Sequence, residues 1–172
     1  MSVGVYRAPM RSRRDDVAPG RTLSRAGAMR VCGFGGVLQP APLDVEEAVT
    51  RAAAQHDVRL AARIARFADV EPGSFAWTRD GDGLFWLGRL SGPWHYDTDA
   101  EAAAVDLVHV RACDWCERPV LLDEAPSAVL ATFGRGGRNF QQIHHPAVLG
   151  QTRQVWESRG GALGAHKVGA PN

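Results

Sequence analysis

Cysteine is scarce in this 172-residue chain, where only Cys32, Cys113 and Cys116 occur. Cys113 and Cys116 form one C-x-x-C pair, but no second pair accompanies it to complete a tetrahedral zinc site. No thioredoxin-like βαβ pattern surrounds the pair, which argues against a redox site. We therefore expect these thiols to pack as small hydrophobic groups, and we expect neither a metal nor a cofactor.

Long apolar runs are also missing. No segment approaches the roughly 18 to 20 apolar residues that cross a bilayer. The amino-terminal region has basic residues but lacks the apolar stretch and small-residue cleavage site of a secretory signal. We expect a cytoplasmic protein without a membrane partner.

An excess of charge of one sign is absent as well, because the formal net charge is only +1 and the sequence pI is about 7.8. A domain that coats DNA phosphates normally carries a strongly basic surface. Any contact with nucleic acid must therefore be local. Hydrophobic residues make up 45% of the chain and charged residues 23%, which is typical of a folded globular protein.

Composition divides the chain into three segments. Residues 1–27 mix arginines with proline and glycine and show no hydrophobic period, which predicts a flexible basic arm. The alternative is that this stretch is upstream sequence, with Met10 or Met29 as the start. Residues 28–157 should form the folded domain, and the Gly- and Ala-rich residues 158–172 are predicted to be a disordered tail.

The folded segment changes its hydrophobic period several times. A glycine-containing strand is predicted over 30–36, and a helix over 45–55 because Asp44 and Glu47 form a capping-box pattern. A second helix should bury Leu60, Ile64 and Phe67. Later elements are the hairpin strands FAWTR and LFWLGRLSG, strands over 106–111 and 114–122, a helix over 127–133, a short segment over 139–144 and a helix or coil over 147–156. This order predicts an α+β fold, in which a small antiparallel sheet curls into a pseudo-barrel with two or three helices packed on it.

No strong catalytic motif occurs in the chain, since GxSxG, HExxH and the zinc deaminase and kinase signatures are all absent. We therefore assign no catalytic residue. Binding is better supported, because three of the five tryptophans fall within about 20 residues around the hairpin. Strand alternation sends part of this set into the core, so Trp94 and Tyr96, beyond the strand, are the preferred pocket residues together with Trp77 or Trp86. Three arginines, Arg79, Arg89 and Arg111, are candidates for contact with phosphate or a base edge.

The segment FAWTRDGDGLFWLGRLSGPWHYD, with ADVEPG before it, resembles the core of the PUA-like superfamily, especially its EVE-type members. The order of elements also resembles that arrangement, with a strand VDLVHVRACDW after the hairpin. APSAVLATFGRGGRNFQQIH is similar to closing segments of PUA-like readers that are fused to, or encoded near, bacterial restriction-type nucleases. The resemblance covers about residues 29 to 145. The usual acidic residue of the opening turn is Ser74 here, which puts a polar contact from that position in doubt.

The resemblance implies a pseudo-barrel whose pocket accepts a flipped or modified base. Arg79 and Arg111 would contact phosphate or the base edge. Aromatic residues would form the wall of the pocket, namely Phe34, Trp77, Trp86, Trp94 and Tyr96. The leading hypothesis is a non-enzymatic module that binds DNA or RNA in bacterial defence or nucleic-acid metabolism, with a nuclease as partner protein. Three alternatives stay open: a nucleotide or small-molecule sensor using the same pocket, an RNA-cleaving enzyme using His95 or His109, and a protein-interaction module.

Overall fold

The protein is described by a computed structural model over residues 2–137 and 139–160. Within these residues the strands are β1 (Val5–Arg7), β2 (Val31–Phe34), β3 (Phe75–Arg79), β4 (Phe85–Leu90), β5 (His95–Tyr96), β6 (His109–Trp115) and β7 (Gln141–Gln142). The helices are α1 (Arg21–Met29), α2 (Val45–Gln55), α3 (Val58–Asp69), α4 (Ala100–Ala104), α5 (Ser127–Gly134) and α6 (Val148–Ser158). None of the helices described is long and apolar enough to cross a membrane.

The strands form one strongly curled sheet in the order β2-β6-β4-β3-β1-β7, and β5 pairs with β6 beside this path. All neighbouring strands are antiparallel except β1 and β3, which run parallel. The predicted α+β fold with a curled pseudo-barrel sheet is therefore confirmed. Six helices accompany the sheet in the described residues, more than the two or three predicted.

The helix and hairpin predictions are confirmed where local signals are strong. The Asp44 carboxylate accepts a hydrogen bond from the Glu47 backbone N–H at 2.8 Å, and α2 begins at the next residue. Asp57 caps α3 in the same way, through the Leu60 N–H. Each cap satisfies a backbone donor that has no partner inside the helix.

The strands predicted over 106–111 and 114–122 are wrong in their bounds, because the structure has one strand, β6, from His109 to Trp115. Asp106 precedes it in a turn with a left-handed φ of 57°. Cys113 and Cys116 are free, buried thiols, one within β6 and one just beyond it. Burial raises the pKa of both.

The prediction of a flexible arm over 1–27 is also wrong. Val5 is 1% exposed and lies in β1, between β3 and β7. The backbone N–H groups of Phe75 and Ile143 donate to carbonyls of residues 4 and 5, so this segment completes the sheet. Of the predicted tail, residue 158 ends α6, and residues 161–172 lie outside the described part of the chain.

Helices cover both faces of the sheet, and strand alternation divides the core accordingly. Trp77 belongs to the face covered by α5 and α6, where it packs with Phe75, Val129 and Trp156. The next strand position turns to the other face, where α1, α2 and α3 pack against β2 and β6. The two sets of side chains are thus separated by the sheet itself.

Candidate functional site

The five aromatic residues predicted to form one base pocket do not meet in one cavity. Trp77 is fully buried on the α6 face, where its indole N–H donates to the Thr152 hydroxyl at 3.2 Å. Trp77 pairs with Leu87, and Trp86 is the residue before Leu87 in β4. Because successive strand residues point to opposite faces, Trp86 lies on the face opposite Trp77. The prediction that Trp77 lines a ligand pocket is therefore wrong.

Three other predicted wall residues, Phe34, Trp94 and Tyr96, surround the ring of His109. The ring centroids of Phe34, Trp94 and Tyr96 lie 5.5, 6.0 and 5.5 Å from that of His109. His109 is 0% exposed, and its Nε2–H points at the Gly36 carbonyl, 2.9 Å away. Burial lowers its pKa to about 4, so the ring is neutral at physiological pH. A side chain so enclosed does not reach a substrate, so His109 cannot act as the acid or base of the RNA-cleaving alternative. The other histidine of that alternative, His95, is exposed in β5.

One of the three predicted phosphate contacts, Arg111, is also corrected. Arg111 is 1% exposed, and its guanidinium donates to the carbonyls of Gly92, Phe67 and Val70. It joins loops inside the fold and has no access to a ligand. Arg89 is exposed but lies over the ring of Phe75, on the face opposite Trp86.

A cavity of about 250 Å³, called here the arginine cleft, lies between the amino-terminal segment, the loop after β2 and the start of α3. It is lined by Arg11, Arg13, Arg14, Phe34, Gly35, Gly36, Val37, His56, Asp57, Leu60, Arg63, Asp106 and Asn139. Phe34 is the predicted site residue found in it, and the Arg63 guanidinium lies 5.8 Å from the Phe34 ring centroid. A cation over an aromatic face leaves the outer side of the guanidinium free for an anion.

Asp106 joins the two walls of the cleft. One of its carboxylate oxygens accepts from the Gly36 backbone N–H at 3.0 Å, and the other accepts from the Ser12 hydroxyl at 2.6 Å. Arg14 stands 3.9 Å from the same carboxylate and donates to the Ala103 carbonyl. These contacts explain why an arginine-rich segment without hydrophobic period is held against the domain.

Positive charge is concentrated in the arginine cleft. Burial and the neighbouring Arg13 both lower the pKa of Arg63, which means that the protonated form is disfavoured by its surroundings. Of the carboxylates in the lining, Asp106 is engaged as described and Asp57 caps α3. A bound anion would relieve the repulsion between the guanidinium groups.

A second cavity of about 470 Å³, the linking groove, neighbours the arginine cleft and shares the lining residues Arg11, Arg13 and Arg14 with it. Arg79, at the end of β3, is exposed and lines this groove. Among the residues described, Arg11, Arg13 and Arg79 form no ion pair. Their guanidinium charges therefore remain available to a phosphate.

The linking groove neighbours a third cavity, the indole groove, of about 410 Å³. The two share Gly20, Leu23, Asp80 and Gly81. The indole groove lies between α1 and the sheet, and Trp86 and Trp115 form its aromatic part. Three predicted site residues, Phe34, Arg79 and Trp86, thus line three neighbouring cavities.

Several lining residues were missed by sequence reasoning. Trp115 follows the C-x-x-C cysteine Cys113 by two positions and lies outside the aromatic window, although β4–β6 pairing brings it beside Gly88. The amino-terminal arginines were noticed only as part of a flexible arm. Arg63 is not among the predicted site residues, because its partners, Phe34 and Arg13, are distant in sequence.

Comparison of this chain with protein-family models, curated proteins and solved structures finds no match. The arrangement of its own residues is therefore the basis for a functional proposal.

Proposed function

We propose that this chain is a non-enzymatic module that binds DNA or RNA through unpaired nucleotides, as the resemblance to EVE-type readers of modified bases also implies. The row of three neighbouring cavities from the arginine cleft to the indole groove supports this proposal most directly. Proteins that bind single strands combine a positively charged groove with aromatic side chains on which bases stack. Both components occur here along one surface.

The electrostatics favour local phosphate contacts over binding to a whole duplex. The net charge of +1 is too small for a broad basic surface. Arg11, Arg13 and Arg79 are exposed and, in the described residues, free of carboxylate partners. Three phosphate contacts would give a slope of about −2 for log K against log salt, at roughly 0.7 per contact on a single strand.

A salt titration tests the proposal. Fluorescence anisotropy with a labelled oligonucleotide should give an affinity that falls as salt rises, with the slope stated above. Arg11→Gln and Arg79→Gln should each weaken binding and reduce the slope by about 0.7. Arg153→Gln is the matched control, because Arg153 is exposed on α6, which packs on the other face of the sheet. Absence of binding at low salt, or equal slopes for all four proteins, would exclude this function.

A nucleotide sensor is the second candidate, and the size of the arginine cleft favours it. A volume of about 250 Å³ is slightly below the roughly 300 to 1,000 Å³ of common small-molecule sites and suits one nucleotide better than a strand. Here Arg63 and Arg13 would hold the phosphate above Phe34. A mononucleotide that binds as tightly as an oligonucleotide would favour the sensor, whereas affinity that grows with strand length would favour the module.

A further inference from the structure

We infer that the indole groove holds one unstacked nucleobase that carries an exocyclic amino group, an inference that rests on the proposed binding of nucleic acid. Trp86 and Trp115 belong to one face of the sheet, because Trp115 pairs with Gly88, which lies two positions after Trp86 in β4. Trp115 lies so close over Gly88 that an added Cβ would come within 2.6 Å of its ring. The missing side chain of Gly88 therefore lets the indole lie low on the sheet.

Both indoles are held in place by hydrogen bonds. The Trp86 N–H donates to an Asp80 carboxylate oxygen at 2.9 Å, and the Trp115 N–H donates to the Val31 carbonyl at 2.9 Å. Their orientations are set before any ligand arrives. An aromatic surface that is already ordered loses little conformational entropy when a base stacks on it.

The other side of the groove is formed by α1, which contributes Leu23, Ser24 and Gly27. Gly27 lines the groove within this helix, and a Cβ added there would meet no heavy atom within 4 Å. Gly20, which precedes the helix, is equally open. The helix thus leaves room over the indoles that a larger residue would fill.

Charge decides which part of a nucleotide fits this groove. Burial of Asp80 opposes its ionisation, but hydrogen bonds from Trp86 and from backbone N–H groups outweigh this effect and lower its pKa. Asp80 lines both the indole groove and the linking groove, and its ionised carboxylate repels phosphate where they meet. Arg30, which also lines the indole groove, is paired with Asp114 at 3.7 Å. The strand's phosphates therefore belong with Arg11 and Arg13, which the linking groove shares with the arginine cleft, and its base belongs with the indoles. A carboxylate accepts hydrogen bonds only, and it pairs with an amino group such as N4 of cytosine.

The experiment fills the groove without touching the arginines. Gly27→Leu adds a side chain in the open space and favours the helix, since glycine is a poor helix former. Ala28→Leu is the matched control, because Ala28 is the next residue of α1 and is exposed. Each protein is titrated with a deoxycytidine oligonucleotide and with a strand of equal length built of abasic sites.

Wild type and Ala28→Leu should bind the cytidine strand about tenfold more tightly than the abasic strand, the factor expected for stacking of one base. Gly27→Leu should bind both strands with the affinity of the abasic strand and with an unchanged salt slope. If Gly27→Leu matches Ala28→Leu on both strands while the salt slope is present, the groove inference is overturned and the proposed function stands.

A second arm uses free nucleosides, which have no phosphate. Cytidine should shift the indole N–H signals of Trp86 and Trp115 in NMR spectra of the wild type and not of Gly27→Leu, and it should bind at least threefold more tightly than uridine. These shifts without binding of any strand would uphold the groove and exclude the proposed function. Equal affinity for cytidine and uridine would overturn the assigned role of Asp80, and absence of both shifts and strand discrimination would overturn the inference as a whole.

Discussion

The burial of His109 predicts a specific loss of stability in mild acid. An unfolded histidine has a pKa near 6.5, whereas burial lowers the pKa of folded His109 to about 4. Between these values the unfolded chain takes up a proton that the folded chain does not. The stabilising effect of neutral burial is therefore complete above pH 6.5 and is lost as pH falls toward 4.

The size of the effect follows from the two pKa values. At pH 5 the unfolded imidazole is almost fully protonated and the folded one is about nine-tenths neutral, which corresponds to about 2 kcal/mol relative to pH 7.5. This is a large share of the roughly 5 to 15 kcal/mol that stabilises a typical domain. Urea unfolding followed by tryptophan fluorescence at pH 7.5 and pH 5.0 measures it directly.

His109→Gln is the matched variant, because a glutamine amide can still donate to the Gly36 carbonyl but does not titrate. The free energy of unfolding of this variant should fall about 2 kcal/mol less than that of the wild type between the two pH values. An equal decrease in both proteins would refute the assignment. If the variant does not fold, NMR of the wild-type imidazole gives the answer, since His109 should remain neutral and protonated at Nε2 at pH 5.

Two further predictions concern packing. Arg111→Met keeps the aliphatic stem but removes three hydrogen bonds from a buried guanidinium to backbone carbonyls, of which, in the described part of the chain, only that of Phe67 also accepts from another backbone N–H, that of Val70. The free energy of unfolding should therefore fall by about 3 kcal/mol or more, whereas Arg89→Met, at an exposed position, should cost less than about 1 kcal/mol. Similar urea midpoints would contradict this role of Arg111. Gly33→Ala would place a Cβ 1.9 Å from the His109 carbonyl oxygen of β6 and should prevent β2 from pairing with β6. Gly81→Ala is the control, because open space surrounds Gly81 and the melting temperature in thermal unfolding should not change. A stable Gly33→Ala protein would show that the pairing of β2 with β6 is not as described.

The reliability of the sequence reasoning depended on how local each signal is. The α2 bounds Val45–Gln55 were predicted correctly because Asp44 and a helical period identify the helix without reference to the rest of the chain. Helix α1 has no side-chain cap, begins after a left-handed Gly20 and buries only Thr22 and Ala26, so nothing in its sequence marks it. Strand β1 has three residues, too few for a period, and its parallel partner β3 lies 70 positions away.

The site was harder to predict than the fold because the hairpin aromatics are nearest neighbours in sequence and belong to different faces of the sheet. Alternation separates Trp77 from Trp86, but it does not say which face remains open. That depends on the covering helices: α6 places Thr152 and Trp156 over the Trp77 face, whereas α1 presents Gly27 near Trp86. The cavity on the Trp86 face thus depends on a covering helix that has a glycine at position 27, and tryptophan content alone does not reveal it. An amino-terminal segment predicted to be a flexible arm supplies both this helix and the arginines, so the candidate site depends on the folding of that segment.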